Sequence, residues 1–228
     1  MEFEQPKFRS MGDRALLVEL GGEINLEVNQ CVRMLYYRLS ENKLAGVVEL
    51  IPSYAALLIV FDPLKISLAA LKANTVRLMQ SSDPSQIPEP RTVRIPVVYG
   101  GDFGPDLPWL AAHHHLSPEE VIRYHTAATY HVYMIGFTPG FPYLGEVPAE
   151  IATPRRDTPR TRVPQGSVGI AQRQTGIYPV ASPGGWQIIG RTPVRLFDPA
   201  AWPPTPFEIG DAVNFYPIEM ETYRNWQP

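Results

Sequence analysis

Between Thr153 and Pro164 the sequence reads TPRRDTPRTRVP, and Arg155, Arg156, Arg160 and Arg162 fall within eight positions with only Asp157 among them. A guanidinium carries five donors in a fixed fork that matches a carboxylate or a phosphate. Pro154, Pro159 and Pro164 stiffen the backbone, which reduces the entropy lost in holding several such groups in place. The stretch reads either as an anion site or as a solvated basic loop neutralised by carboxylates elsewhere. Downstream, QTGIYPVASPGGWQIIGRTP adds Gln174, Tyr178, Trp186 and Gln187, whose rings and polar tips suit a pocket wall. Packing in a core is the competing use of Tyr178 and Trp186.

A second unusual stretch, IGFTPGFPYLG from Ile135 to Gly145, sets Phe137, Phe141 and Tyr143 among two prolines and three glycines. Neither a helix nor an unbroken central strand can run through it, so a loop is expected. Its aromatics either fold back onto the core or line something the protein binds. The glycines and prolines fix a loop without supplying a regular element to pack, which favours Phe141 and Tyr143 as the wall of a groove.

The common catalytic signatures are missing. There is no P-loop, no dinucleotide-binding glycine fingerprint, no HExxH and no paired CxxC. His113, His114 and His115 are adjacent, and adjacent helical residues point in different directions where metal ligation needs a spacing of four, so no metal is expected. His125 and His131 flank the start of a β-rich region; a hydrogen-bonded structural histidine is the favoured reading of each, with a general base as the alternative, and no catalytic residue is assigned beyond these two candidates. Ser167 and Ser182 lie in PQGSVG and ASPGGW, which are turn sequences rather than nucleophile elbows.

The elements that must position these residues follow from the apolar pattern. RALLVEL reads as a strand ending at Gly21-Gly22, and Asn25 can cap a helix whose apolar face is Ile24, Val28, Val32, Leu35 and Leu39, running to Asn42. GVVELIP and AALLIVFD are two strands of a hairpin turning at Pro52-Ser53-Tyr54, and a second helix covers Ile66 to Met79. Strand, helix, two strands and helix make an α+β arrangement with helices on one face of a small antiparallel sheet. RTVRIPVVYG then begins a new strand, GDFGPDL supplies turns, and a helix pair follows. Its second member starts at LSPEEVIRYH, with Ser117 at the N-cap and Pro118 at the first helical position. From Thr129 onward YHVYMIGF, VGIAQ, GIYPVA, WQIIGRT, VRLFD and AVNFYP are β-type runs broken by Gly and Pro, as in a closed barrel or a sandwich.

Composition divides the chain in the same place. Residues 1 to 90 hold 6 of the 25 prolines and 4 of the 17 glycines. The polar, proline-rich segment SSDPSQIPEPR (Ser81 to Arg91) has no apolar period and reads as a linker, giving domains 1–88 and 89–228. A formal net charge of −3 offers no basic field for nucleic acid or an anionic membrane, so protein or small-molecule partners are expected. Cys31 is the single cysteine, the N-terminus MEFEQPKFR has no apolar signal region, and no stretch approaches a membrane span. A soluble cytoplasmic protein is expected.

Three stretches, YMIGFTPGFPYLG, ATPRRDTPRTRVPQGSVGIAQRQTGIYPV and SPGGWQIIGRTPVRLFDP, closely resemble the KipI family, also called allophanate hydrolase subunit 1 or PxpB, the B subunit of bacterial 5-oxoprolinase. YGGDFGPDL, SPEEVIRYH and the opening SMGDRALLVEL fit it as well. The resemblance implies an N-terminal α+β domain followed by a mainly β, cyclophilin-like barrel. It implies action with a KipA/PxpC-type subunit and a PxpA-type subunit to open 5-oxoproline to glutamate at the expense of ATP. The Bacillus member instead inhibits a sporulation histidine kinase, and members are similar to part of the carboxyltransferase domain of urea carboxylase, so a kinase or a urea-like amide is the alternative target. A barrel groove with Phe141 and Tyr143 in its wall would receive a ring-shaped ligand, the arginines its carboxylate or a phosphate, and Gln174 and Tyr178 the lactam. With no ATP motif here, ATP with Mg is expected only at the level of the complex, at a composite site, with this subunit inactive alone.

Overall fold

The structure is a computed structural model that describes residues 6–80 and 87–227. The chain divides into two compact units, Met1–Glu89 and Pro90–Pro228. Ser81 to Gln86, the first part of the linker expected from sequence, and the first five residues of the N-terminus lie outside the described residues.

In the first unit, β1 (Lys7–Ser10), β2 (Ala15–Glu19), β3 (Val47–Pro52) and β4 (Ala56–Phe61) form an antiparallel sheet in the order β1-β2-β4-β3, with α1 (Leu26–Asn42) and α2 (Leu68–Gln80). Alternation along β2 and β4 sends Leu16, Val18, Leu57, Ile59 and Phe61 to one face, where they meet Val32, Leu35 and Leu39 of α1 and Leu71 and Leu78 of α2. The Asn25 side chain accepts from the amides of Glu27 and Val28, as an N-cap should. Arg38, buried on α1, donates to the carbonyls of Leu78 and Met79 at 2.9 and 3.0 Å and so satisfies the open end of α2.

The second unit is mostly β. It contains β5 (Thr92–Tyr99), α3 (Leu107–His113), α4 (Pro118–Ala127), β6 (Tyr130–Ile135), β7 (Pro142–Gly145), β8 (Arg160–Val163), β9 (Ser167–Ala171), β10 (Gln174–Ile177), β11 (Ser182–Gly184), β12 (Gln187–Arg191), β13 (Ala212–Pro217) and α5 (Met220–Arg224). Seven strands close a barrel in the order β10-β7-β6-β13-β5-β12-β9, and β8 pairs with β11 apart from it. Ile95, Val97, Val132, Leu144, Val168, Ile170, Ile177, Ile189 and Val213 are fully buried within the barrel core, together with Leu110 of α3 and Val121 of α4.

Three sequence expectations are corrected here. IGFTPGFPYLG is a loop only over residues 136–141, the turn of a hairpin: Ile135 pairs with Pro142, the amide of Gly136 bonds to the carbonyl of Phe141, and the chain then continues as β7. Pro142 is tolerated because it is the first residue of its strand. The arginine stretch ends in strand β8, where a Pro- and Arg-rich sequence hides the alternation. VRLFD, in contrast, forms no strand, although Leu196 is buried in the barrel core.

Candidate functional site

The arginine stretch is organised by a residue that the sequence presents only as part of a turn. Gly104 packs against β12 so closely that a Cβ there would clash with the carbonyl oxygen of Ile189. That approach seats Asp106 beside the same strand. Its amide donates to the Ile188 carbonyl at 2.9 Å, and its carboxylate Oδ2 accepts from the Ile188 amide at 2.6 Å. Asp106 stands at the N-cap position of α3 yet makes no side-chain cap. Its Oδ1 instead accepts from Arg156 Nη1 at 2.9 Å and from Arg160 Nη2 at 2.7 Å.

A cleft of about 470 Å³ opens over this cluster. Asp106, Arg155, Arg156 and Gln187 line it together with Trp109 and His113, whose rings stack four residues apart on α3. Gln187 is buried on β12 and donates to the carbonyl of Pro154, while the amide of Arg156 donates to the carbonyl of Gly185, so the arginine stretch is tied to the barrel by its backbone. His114 bonds Thr153 Oγ1 through Nε2 at 2.9 Å, and Thr153 in turn donates to the Ile151 carbonyl, which fastens the start of the stretch to the end of α3. Arg155 is exposed and makes no ion pair among the described residues. Its charge opposes the effect of burial on the hydroxyls of Tyr143 and Tyr178, both of which burial raises.

The remaining expected residues are placed as follows. Phe141, at 1 % exposure, is the centre of a buried aromatic cluster with Tyr178 and Trp186, and half-buried Tyr143 packs on its edge. The groove-wall reading of Phe141 is therefore corrected: the hairpin turns its ring inward, and Gly176 makes room for it, since a Cβ there would lie 2.8 Å from the ring. Tyr178 and Trp186 are likewise core residues. The Tyr178 hydroxyl takes a hydrogen bond from the Trp186 backbone, burial pushes its pKa up to about 12, and the residue, 1 % exposed, does not line the cleft. The exposed ring of the hairpin is Phe137. Gln174 lies half-buried on β10, and Arg162 is exposed on β8; neither lines the cleft.

Of the two candidate bases, His125 is completely buried. Nδ1 pairs with the Tyr99 hydroxyl at 2.8 Å and Nε2 with Thr175 Oγ1 at 3.0 Å, while its backbone carbonyl accepts from the Tyr130 hydroxyl. Burial lowers its pKa to about 3. With both nitrogens occupied and the ring fully buried, it is the structural histidine that the sequence favours, and not the general base of the alternative reading. His131 is half-buried on β6, opposite Gly145 and Ala212, and outside the cleft lining. Among the described residues no group of three or more His, Cys, Asp or Glu could hold a metal, and no helix is long and apolar enough to cross a membrane.

Chemically, Arg155 and Arg156 share the cleft with Asp106 and Asp157 beside an aromatic face, and Arg160 pairs with Asp106 next to the lining. Sequence reasoning missed Asp106 and Trp109. The one signal for Asp106 was an acid just ahead of a Pro-containing helix start, which reads as a cap.

Residues 6–207 match the family described as carboxyltransferase domain, subdomain C and D. The chain is 42% identical over 232 residues to the 5-oxoprolinase B subunit of Bacillus subtilis (strain 168), covering 97% of this chain and 96% of the relative. It is 43% identical over 208 residues to the 5-oxoprolinase B subunit of Escherichia coli O157:H7, covering 91% and 94%. Among solved structures, the crystal structure of TTHA0988 superposes with a TM-score of 0.82 at 36% identity, over 90% of this chain and 40% of that one. The present chain thus spans about two fifths of that crystallised chain.

Proposed function

We propose, from the premise that the chain belongs to the family of carboxyltransferase domain subdomains C and D, that it is the B subunit of an ATP-dependent 5-oxoprolinase. The observation that carries this reading is its near-full-length identity with two proteins named as 5-oxoprolinase B subunits. In this reading the chain is an enzyme component that acts with a KipA/PxpC-type and a PxpA-type subunit to open 5-oxoproline to glutamate. Its second unit serves as a cyclophilin-like barrel after an α+β unit.

The cleft supports the reading chemically. 5-Oxoproline is a small ring with one carboxylate, and the cleft combines guanidinium donors, a buried amide and a stacked aromatic pair within a volume suited to a small molecule. An unstrained lactam is opened at the expense of ATP most simply by phosphorylating the amide oxygen before water attacks. ATP with Mg supplies that phosphoryl group at the level of the complex. This chain would contribute orientation of the substrate and cationic stabilisation of oxygen charge.

The test is reconstitution. The purified chain alone should show no 5-oxoproline-dependent ATP hydrolysis, and activity should appear once both partner types are added. Robust turnover by the isolated chain would overturn the composite site. A complete set of partners that stays inactive with this chain, yet works with the Bacillus subtilis relative, would overturn the function.

A further inference from the structure

We propose that Asp106 is the positioning residue of an oxyanion site, holding Arg156 at the cleft with Arg160 bonded to the same carboxylate oxygen beside it, so that Arg155 and Arg156 receive a small-molecule carboxylate or phosphoryl group. The choice of 5-oxoproline as the first probe rests on the functional reading above; the site itself rests on its geometry.

Asp106 is fixed from both sides. Its backbone and one carboxylate oxygen are bonded to Ile188 of β12, and its other oxygen is shared by two guanidiniums. The side chain is 6% exposed, whereas those of Arg156 and Arg160 are 35% and 24% exposed, so the acid forms the floor and the arginines reach from it toward solvent. One carboxylate cannot neutralise two guanidiniums. Nor does it use all their donors: Arg156 Nε and Arg160 Nη1 are buried and have no hydrogen-bond partner among the described residues. Unpaired buried donors on charged groups are costly, so these guanidiniums keep hydrogen-bonding capacity that the protein does not use, and the partly exposed Arg156 with Arg155 suits an oxyanion.

A solvated basic loop would look different. Its arginines would be extended into water without a common buried anchor. Here the guanidiniums are held by charge-assisted bonds, the backbone beneath them is stiffened by proline, and Arg155 stands beside them without an ion pair among the described residues. Trp109 and Gln187 bound the same space, an arrangement that admits a small planar ring behind the anionic group.

The test is titration calorimetry of the full-length chain with 5-oxoproline, inorganic phosphate and ATP in parallel. Saturable binding of 5-oxoproline alone identifies a carboxylate site, and binding of phosphate or ATP a phosphoryl site; either supports the proposal. Arg155→Gln and Arg156→Lys should each weaken binding at least tenfold, the second because lysine keeps the charge but loses the fork. Asp106→Asn provides the discriminating sign. If the cleft acted only as a positive field, deleting this carboxylate would tighten anion binding; with Asp106 aiming the arginines, affinity should instead fall at least tenfold. Circular dichroism confirms that each variant is folded at the assay temperature, and if Asp106→Asn is not, Arg156→Lys decides. No saturable binding of any probe at millimolar concentration, parental affinity in Arg156→Lys, or tighter binding by folded Asp106→Asn overturns the site. A chain that binds anion but restores no turnover to its partners sinks the functional reading alone; turnover with arginine variants that behave like the parent sinks the site alone.

Discussion

His125 is held neutral because the barrel core gives its ring two hydrogen-bond partners and no water. Its folded pKa of about 3 lies below the ordinary 6.5, so between those values the unfolded chain binds a proton that the native chain does not. Its contribution to stability is therefore fully present above about pH 6.5 and is lost as pH falls toward 3, at about 1.4 kcal/mol per pH unit. Denaturant titrations from pH 7 to 4 should show that slope, and His125→Asn should flatten it; an unchanged slope would remove His125 as the cause. Phe141→Ala is expected to cost about 3 to 5 kcal/mol of stability, as for a buried ring. Its fully buried position and its contacts with Tyr143, Tyr178 and Trp186 require this. Thermal and chemical denaturation would check it, and a near-parental melting temperature would contradict the placement. At this scale the sequence shows the arginines because they are close together along the chain. Asp106, fifty positions before Arg156, becomes visible only when α3 and the arginine stretch meet on β12.

Elements whose ends are set by local chemistry are the legible ones. The α4 start is such a case: Ser117 accepts from the Glu120 amide and Glu120 accepts from the Ser117 amide, a reciprocal capping box followed by Pro118. Ser117→Ala should destabilise the protein by about 1 kcal/mol, measurable as a shift in the denaturant midpoint at constant slope. Asn25 and the apolar spacing of α1 are readable for the same reason, as is the turn between β3 and β4. The hairpin between β6 and β7 and strand β8 are not, because the Pro and Gly in the hairpin and the prolines flanking β8 argue against strands, and only pairing across the barrel or with β11 overrides it. The reverse error occurs at VRLFD, whose Leu196 is buried in the barrel core and whose Val194 packs half-buried against it without joining its ladder. Propensity describes what a segment prefers alone, and these segments are decided by neighbours distant in sequence.

At the scale of the molecule, the two units are built on clusters that share no residue. One joins Leu16, Ile59, Leu35 and Leu71; the others join the barrel strands to α3 and α4 and gather the aromatics around Phe141. The second unit has the length to bury its own core, and its barrel closes without any strand from the first. All residues of the Asp106 cluster belong to it. A fragment spanning residues 90–228 should therefore fold alone with a cooperative thermal transition, and limited proteolysis of the whole chain should cut between Ser81 and Arg91 to release it. The fragment's affinity for the oxyanion probe should lie within about threefold of the full chain's, a difference below about 0.7 kcal/mol. A fragment that melts without cooperativity, or proteolysis confined to the Thr153–Arg162 stretch, would show that the barrel depends on the first unit. A fragment that folds but loses the anion would place part of the site outside the barrel unit, against the geometry that gathers Asp106, Arg155, Arg156 and Arg160 within it.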